Sequence, residues 1–532
     1  MKNGSYISLH AYEADKGFGA PSGPINTWKE NRPVAIALIA GLLGVATIYL
    51  FSKTEIAIGG MAPVGLIVGL ALLYRAWRDW EFGIKSLLVI VIVEGAVRKW
   101  FLPSFTELVY LYKDILVIII LAAYLRKRGR KPLLINRRLK PLRIALVVFA
   151  VYSFAVVLNP GTPHMLIPLL GLKAYCLYIP LTFLIARMFS DKAKLISFLK
   201  WYSIIVLPVA LIGVMQFAES SPTASLNRYA WREGVAAQPS DVASFFDSTG
   251  AHYMRVTSTF SYVTGLSAYL PIMFSLLLGL ISLNSTRQMS KSLRWLFYVC
   301  IGAVVVASFM TGSRGAVLAI LLVAMLFYFF SPIKHLFRRL QQVVIIGLLA
   351  YLSLTLLFPQ AYDAFYTRAF SSDQEMNESW ERMLTPLRPP IDEATYAGLL
   401  GYGIGRTQNA VPAMLKMLGM PEQTERFPIM PENEPGRVML EVGVIGFLLY
   451  TLVRCLLLVT LFQACRRIRD SESKALAIAV TCVLVVQVLT GGAIVNHTQG
   501  VYQWVLAGIP LALLNAERLS LQMRTHGDLP AR

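Results

Sequence analysis

Runs of about twenty apolar residues recur along almost the whole chain, and a run of that length is what an α-helix needs to cross a bilayer. They cover approximately residues 33–51, 56–74, 84–100, 107–125, 144–159, 167–189, 195–217, 257–283, 295–310, 316–330, 342–358, 437–464, 476–493 and 501–515. Composition agrees. Of 532 residues, 56% are hydrophobic and only 15% are charged, against about 25% charged in a soluble domain. The expectation is an all-α polytopic membrane protein with about fourteen transmembrane helices.

The net charge of +20 raises the question of nucleic acid. No basic stripe with interleaved aromatics accompanies it, so a nucleic-acid partner is rejected. The surplus lies in short loops beside apolar runs, where Lys and Arg mark the cytoplasmic side. The richest such loop, RKRGRKPLLINRRLKPLR at 126–143, has nine basic residues and no acid. Alternating outward from it puts NSTRQMSKSLR, SPIKHLFRRLQQ and CRRIRDSESK on the same side, with both termini. The expected order is a cytoplasmic tail (1–32), N-terminal helices (33–125), the basic loop (126–143) and a core helical region (144–358) with an outer loop at 218–256. A large outer loop (359–436), C-terminal helices (437–515) and a cytoplasmic tail (516–532) follow. The large loop carries eleven acids and six basic residues. It is too long for a simple connector, and loops of that length tend to be functional.

Charged residues beside or inside apolar runs are the candidate site. In FMTGSRGAVLAI, Arg314 stands between two apolar runs, where a guanidinium in hydrocarbon costs about 2.5–3.5 kcal/mol on insertion scales. The topology puts it in an outer turn, with Gly312 and Gly315 allowing the bend. Snorkelling or helix capping would explain it structurally. Arg255 opens HYMRVTSTFSYVTGLSAYL, whose dense hydroxyls, Tyr262 among them, suit a polar cavity or plain helix packing. Arg406 lies in GLLGYGIGRTQNAVP, where glycines let a ligand approach the backbone; no strand–helix context supports a dinucleotide fingerprint. In MPENEPGRVMLEVGVIGFLLY, Glu432 and Glu434 precede a helix that contains Glu441. The helix dipole alone would favour these acids, and Glu441 could pair with Arg437 on the same face. A carboxylate at a partly dry membrane mouth can also act as a general base. Glu94, Lys113, Asp114 and Lys173 lie within apolar runs. Lys113 and Asp114 could neutralise local charge as neighbours, though adjacent positions do not share a helix face, and Glu94 with Lys173 could form a proton relay or, more simply, an interhelical pair. The histidines and five cysteines have no metal-ligand spacing, so a metal site and a disulfide framework are not expected.

Four stretches, RVTSTFSYVTGLSAYL, TGSRGAVLAI, GYGIGRT and ENEPGRVMLEVGVIGFLLY, resemble in wording and order the bacterial O-antigen ligase and O-antigen or exopolysaccharide polymerase family of polytopic glycosyltransferases. They span roughly residues 255–450. The resemblance implies a fold like that of C-type lipid-linked-sugar transferases and no metal or other cofactor. It implies transfer of a glycan from a polyprenyl diphosphate carrier to an acceptor hydroxyl on the periplasmic side of the inner membrane. By position, Arg255, Arg314 and Arg406 would hold the diphosphate, to which bidentate guanidinium groups are well suited. Arg437, Asn433 and Tyr262 would support them. Family ligases carry His-Asn where this chain has Glu432-Asn433, which favours a repeat-unit polymerase over a lipid A–core ligase. Glu432 and Glu434 both remain candidates for the base. The implied partners are an undecaprenyl-diphosphate-linked oligosaccharide, membrane lipid, a chain-length regulator and export machinery. A lipid-linked glycan flippase is the first alternative, though no internal repeat of the kind carriers show is present. A non-catalytic envelope assembly protein is the second.

Overall fold

The computed structural model describes residues 27–53, 62–102, 105–127, 139–219, 224–227, 244–246, 252–283, 290–331, 394–420 and 433–527, with scattered positions between 341 and 366. The first helices are α1 (Thr27–Lys53), α2 (Ala62–Arg78), α3 (Trp80–Ala96), α4 (Thr106–Arg126), α5 (Lys140–Val156), α6 (Leu166–Leu172), α7 (Leu181–Met188), α8 (Lys192–Ile204) and α9 (Val206–Ala218). After a two-stranded antiparallel hairpin, β1 (Ser244–Phe246) with β2 (His252–Met254), come α10 (Val263–Ile281), α11 (Lys291–Met310) and α12 (Arg314–Phe330). The last are α13 (Val411–Met417), α14 (Glu434–Arg467), α15 (Ser471–Thr490) and α16 (His497–Gly527). Single π turns extend α3 (Val97–Phe101) and α6 (Lys173–Leu177).

Helix starts follow from local chemistry. Asp79, Asp191, Ser290, Asn433 and Asp470 each accept a hydrogen bond from a backbone N–H in the first turn of the helix they precede, which satisfies donors that the helix itself leaves open. Between the caps the sequence is apolar on every side. Eight described helices or helix pairs are long and apolar enough to cross a membrane. Their surface is inverted relative to a soluble protein: Ile67, Ile118, Val151, Leu321 and Leu448 are all more than half exposed, as expected where lipid is the solvent. The chain is therefore a multi-pass membrane protein. Helix α10 is its centre, with 83% of its apolar window buried against 33% for α4 at the periphery. It packs on α11, α12 and α15, while α16 packs on α7 and α14 on α5.

The two ends of the bundle differ. One gathers Arg75, Arg78, Arg126 and the starts of α5, α8, α11 and α15, held by Lys192–Asp470 and by the Arg469 N–H on Glu517. The other gathers the turn at Gly161, the 311–313 turn, the 491–496 turn and the loop from 398 to 409, which are cross-linked as described below.

Three expectations need correction. The span 257–283 is helical only from Val263; residues 255–262 form an extended and turned segment in which Ser258 has φ 51°. Gly315 is part of α12, so only Gly312, with φ 59°, makes the turn before Arg314. The span 437–464 is broken. Gly443 has φ 68° and divides α14 into two arms. Glu434 meets Tyr450 and Arg454, residues that a straight helix would carry about 25–30 Å away. The short first arm is therefore folded back along the second.

Candidate active site

The hinge of α14 organises the site. At Gly443 and Gly401 the two backbones approach so closely that a Cβ on either would meet the main chain of the other segment. Both have positive φ, 68° and 72°, a region that only glycine enters freely. The contact is sealed by main-chain hydrogen bonds, from Tyr402 N to Leu440 O (2.8 Å), Gly403 N to Glu441 O (3.1 Å) and Val444 N to Gly398 O (3.1 Å). They satisfy groups freed where the helix breaks. Asn159 Nδ2 then donates to Gly401 O (3.0 Å) and Tyr152 Oη to Val442 O (2.7 Å), fixing both to the end of α5.

This docking brings Arg437 onto the loop that carries Arg406. Arg406 is 8% exposed and donates to Tyr402 O (3.3 Å), close to Gly161. Arg437 reaches from the first arm of α14 to the Thr407 carbonyl (2.8 Å) and Asn409 Oδ1 (3.0 Å). Glu441 Oε1 accepts from Thr407 N (2.8 Å) and Thr407 Oγ1 (2.7 Å), so it clamps the GYGIGRT loop. Asn433 caps α14 through Gly436 N (2.8 Å).

Glu434 is buried inside this scaffold. Its Oε1 accepts from Arg454 Nη1 (2.6 Å) and Tyr450 Oη (2.6 Å), and its Oε2 from Ile494 N (2.7 Å). Arg454 also donates to Gln487 O (3.2 Å). With every contact directed inward, Glu434 ties the arms of α14 to the 491–496 turn. Glu432, the other candidate base, falls outside the described residues, two positions before Glu434.

A second group forms around the 255–264 segment. Arg255 Nε donates to Thr311 O (3.1 Å) and Val256 N to Met310 O (3.3 Å), which puts Arg255 against the turn that leads into Arg314. Arg314 is the first residue of α12, half-buried. Asn496 Nδ2 donates to Thr264 O (2.9 Å), joining this group to the turn that Glu434 holds. Burial pushes the Tyr262 phenol above its ordinary range, and the Arg98 guanidinium partly offsets that. Its oxygen accepts from Arg98.

The buried ion pairs differ from expectation in their partners. Glu94 pairs with Lys113 (2.8 Å) and Asp114 with Lys173 (2.6 Å), while Tyr178 donates to Asp114. Adjacent Lys113 and Asp114 point in different directions on α4, as neighbours on a helix must. Arg98, Lys99 and Arg454 are buried cations that the sequence reading passed over. Arg98 and Lys99 close an apolar run and so resemble boundary charges. Arg454 lies mid-run, where a lone charge in a greasy helix was the available clue. Among the described residues no group of three His, Cys, Asp or Glu could hold a metal ion. No protein-family model and no curated protein matches the chain.

Proposed function

We propose that the chain is a glycosyltransferase of the bacterial inner membrane that joins lipid-linked glycans on the periplasmic side, acting as a repeat-unit polymerase. In this reading about fourteen spans cross the membrane with both termini in the cytoplasm. The site end, which is opposite the basic loops, faces outward. The observation that carries the reading is the docking of the GYGIGRT loop on the broken helix α14. It fastens Arg437 to the loop that carries Arg406, at the same end as Arg255 and the Arg314 turn.

Arg255, Arg314 and Arg406 bind the diphosphate of the undecaprenyl carrier. As the anomeric C–O bond breaks, the leaving diphosphate departs with the electron pair, and fixed guanidinium groups stabilise its growing charge. Glu432 takes the proton from the acceptor hydroxyl, which forms the new glycosidic bond. Glu434 is a positioning residue, because its oxygens are committed to Arg454, Tyr450 and Ile494. Asn433 and Arg437 hold the first arm of α14, which follows Glu432 in the sequence.

Replacing Arg314 with alanine in cells tests this reading. Single repeats on the carrier should accumulate outside the membrane at normal protein abundance. Accumulation of long chains on the carrier would indicate a ligase, and repeats trapped on the cytoplasmic side would indicate a flippase. Unchanged glycan would remove Arg314 from the site.

A further inference from the structure

The N-terminal helices contain a cluster that the reaction above does not use. Arg98 and Lys99 on the π turn after α3, Lys113 on α4 and Lys173 on the π turn after α6 are four cations, and Glu94 and Asp114 are the acids among them. Three of the cations face Tyr110: Lys173 Nζ is 4.2 Å from its ring centroid, Lys113 Nζ 4.3 Å and Arg98 Cζ 5.4 Å. His497 packs on the same ring at 5.5 Å.

The charges do not balance. Lys113 takes Glu94 and Lys173 takes Asp114. Lys99 is surrounded by oxygens, donating to Thr257 Oγ1 (3.0 Å), Phe260 O (2.7 Å) and Ser258 O, so it staples the 257–260 turn. Arg98 is left over. It is only 4% exposed, shares Glu94 with Lys113 at 3.7 Å, and donates to Ser261 Oγ (2.9 Å) and to the Tyr262 hydroxyl. Its Nε has no hydrogen-bond partner among the described residues. Glu107, one turn before Tyr110, is exposed. A buried guanidinium that only shares an anion is incompletely compensated and can accept a further one. Tyr110, Ser261, Tyr262 and His497 beside it are all half-buried. Ser261 belongs to the segment that carries Arg255, so the cluster adjoins the donor site.

We infer that Arg98, supported by Lys113 and Lys173 around Tyr110, binds the diphosphate of a second carrier lipid, the one bearing the acceptor glycan. The inference rests on the polymerase reading. When one lipid-linked repeat is transferred to another, two diphosphates are present. The donor's leaves with the electron pair of its broken anomeric bond. The acceptor's stays esterified throughout while the acceptor hydroxyl gives up its proton. An acceptor pocket therefore needs charge complementarity without a full cationic clamp, and a partly neutralised cluster with one spare guanidinium meets that need.

The test is binding stoichiometry of farnesyl diphosphate on the full-length protein in phosphatidylcholine nanodiscs, read by native mass spectrometry. Wild type should bind two equivalents. Arg98→Gln, which leaves Glu94 paired with Lys113, should weaken one of the two by at least about tenfold, and Arg98→Lys should restore much of it. Arg314→Gln should weaken the other. One equivalent on wild type, sensitive to Arg314→Gln but not to Arg98→Gln, would overturn the second site and leave the polymerase reading standing. Loss with Arg98→Gln and none with Arg314→Gln would uphold the second site and overturn the assigned donor site. Inorganic pyrophosphate competing as well as farnesyl diphosphate at the Arg98-dependent site would overturn the lipid assignment. Should Arg98→Gln fail to fold, the wild-type count decides: two supports the inference and one overturns it.

Discussion

Glu434 shows how an acid in a candidate site can be committed wholly to structure. Its carboxylate is 3% exposed and bound by a guanidinium, a phenol and a main-chain N–H. Glu434→Ala strands Arg454 in the interior, where one partner of a buried pair costs about 3–5 kcal/mol to remove. The expected result is a poorly folded protein, seen as a large drop in unfolding temperature in detergent. Glu434→Leu combined with Arg454→Met should recover most of that stability, since apolar replacements of a buried pair are often neutral. Glu432→Gln should behave differently: transfer stops while the unfolding temperature stays within about 1 kcal/mol equivalent of wild type. An equal loss of stability in both single variants would contradict these separate roles. The sequence places the two acids two positions apart and offers nothing to separate them. The deciding partner, Arg454, lies twenty residues further on, hidden in an apolar run.

Helix α14 sets the geometry at the next scale. Hydropathy reads residues 437–464 as one span, because both arms are apolar and a glycine is unremarkable in a membrane helix. What folds the first arm back is a single positive φ at Gly443, supported by the loop that docks there. Gly443→Ala places a Cβ against Leu399 O and Gly401 N at a φ of 68°. Strain of about 1–3 kcal/mol plus that contact should release the 398–409 loop. Limited proteolysis would reveal faster cleavage there, with transfer lost at normal abundance. Gly44→Ala in α1, whose Cβ would meet nothing within 4 Å, should be neutral or stabilise by up to about 1 kcal/mol. Equal behaviour of the two variants would contradict the hinge. The motif stretches themselves were legible because arginine, acid and glycine stand out against hydrocarbon. Their mutual contacts were not, since each depends on a backbone conformation that composition does not encode.

For the whole molecule, the split between a basic end and a site end is the feature the sequence conveys best, because loop charge survives whatever the helices do inside. Its main ionic tie is Lys192 with Asp470, the residue that caps α15. Part-burial pushes the Asp470 carboxyl up, but hydrogen bonds from Lys192 and Ser473 prevail and hold it below its ordinary value. With the folded value depressed, the contribution is complete above the unfolded carboxyl's pKa of about 3.9 and is lost as pH falls through the folded one. Asp470→Asn, which keeps a capping oxygen, should lose about 0.2–1 kcal/mol at pH 7, the range for a solvent-screened pair. It should match wild type at strongly acid pH, and a pH-independent difference would assign the effect to the cap. Orientation is checked by reporter fusions: one after residue 135 should report cytoplasm, and one after residue 425 should report the outer side. The most direct measurement of the central claim is the state of carrier-linked glycan in cells whose only copy bears Arg406→Ala. The account predicts single repeats held on the carrier at the outer leaflet, with the protein present and folded. Polymer of normal length and amount would contradict it.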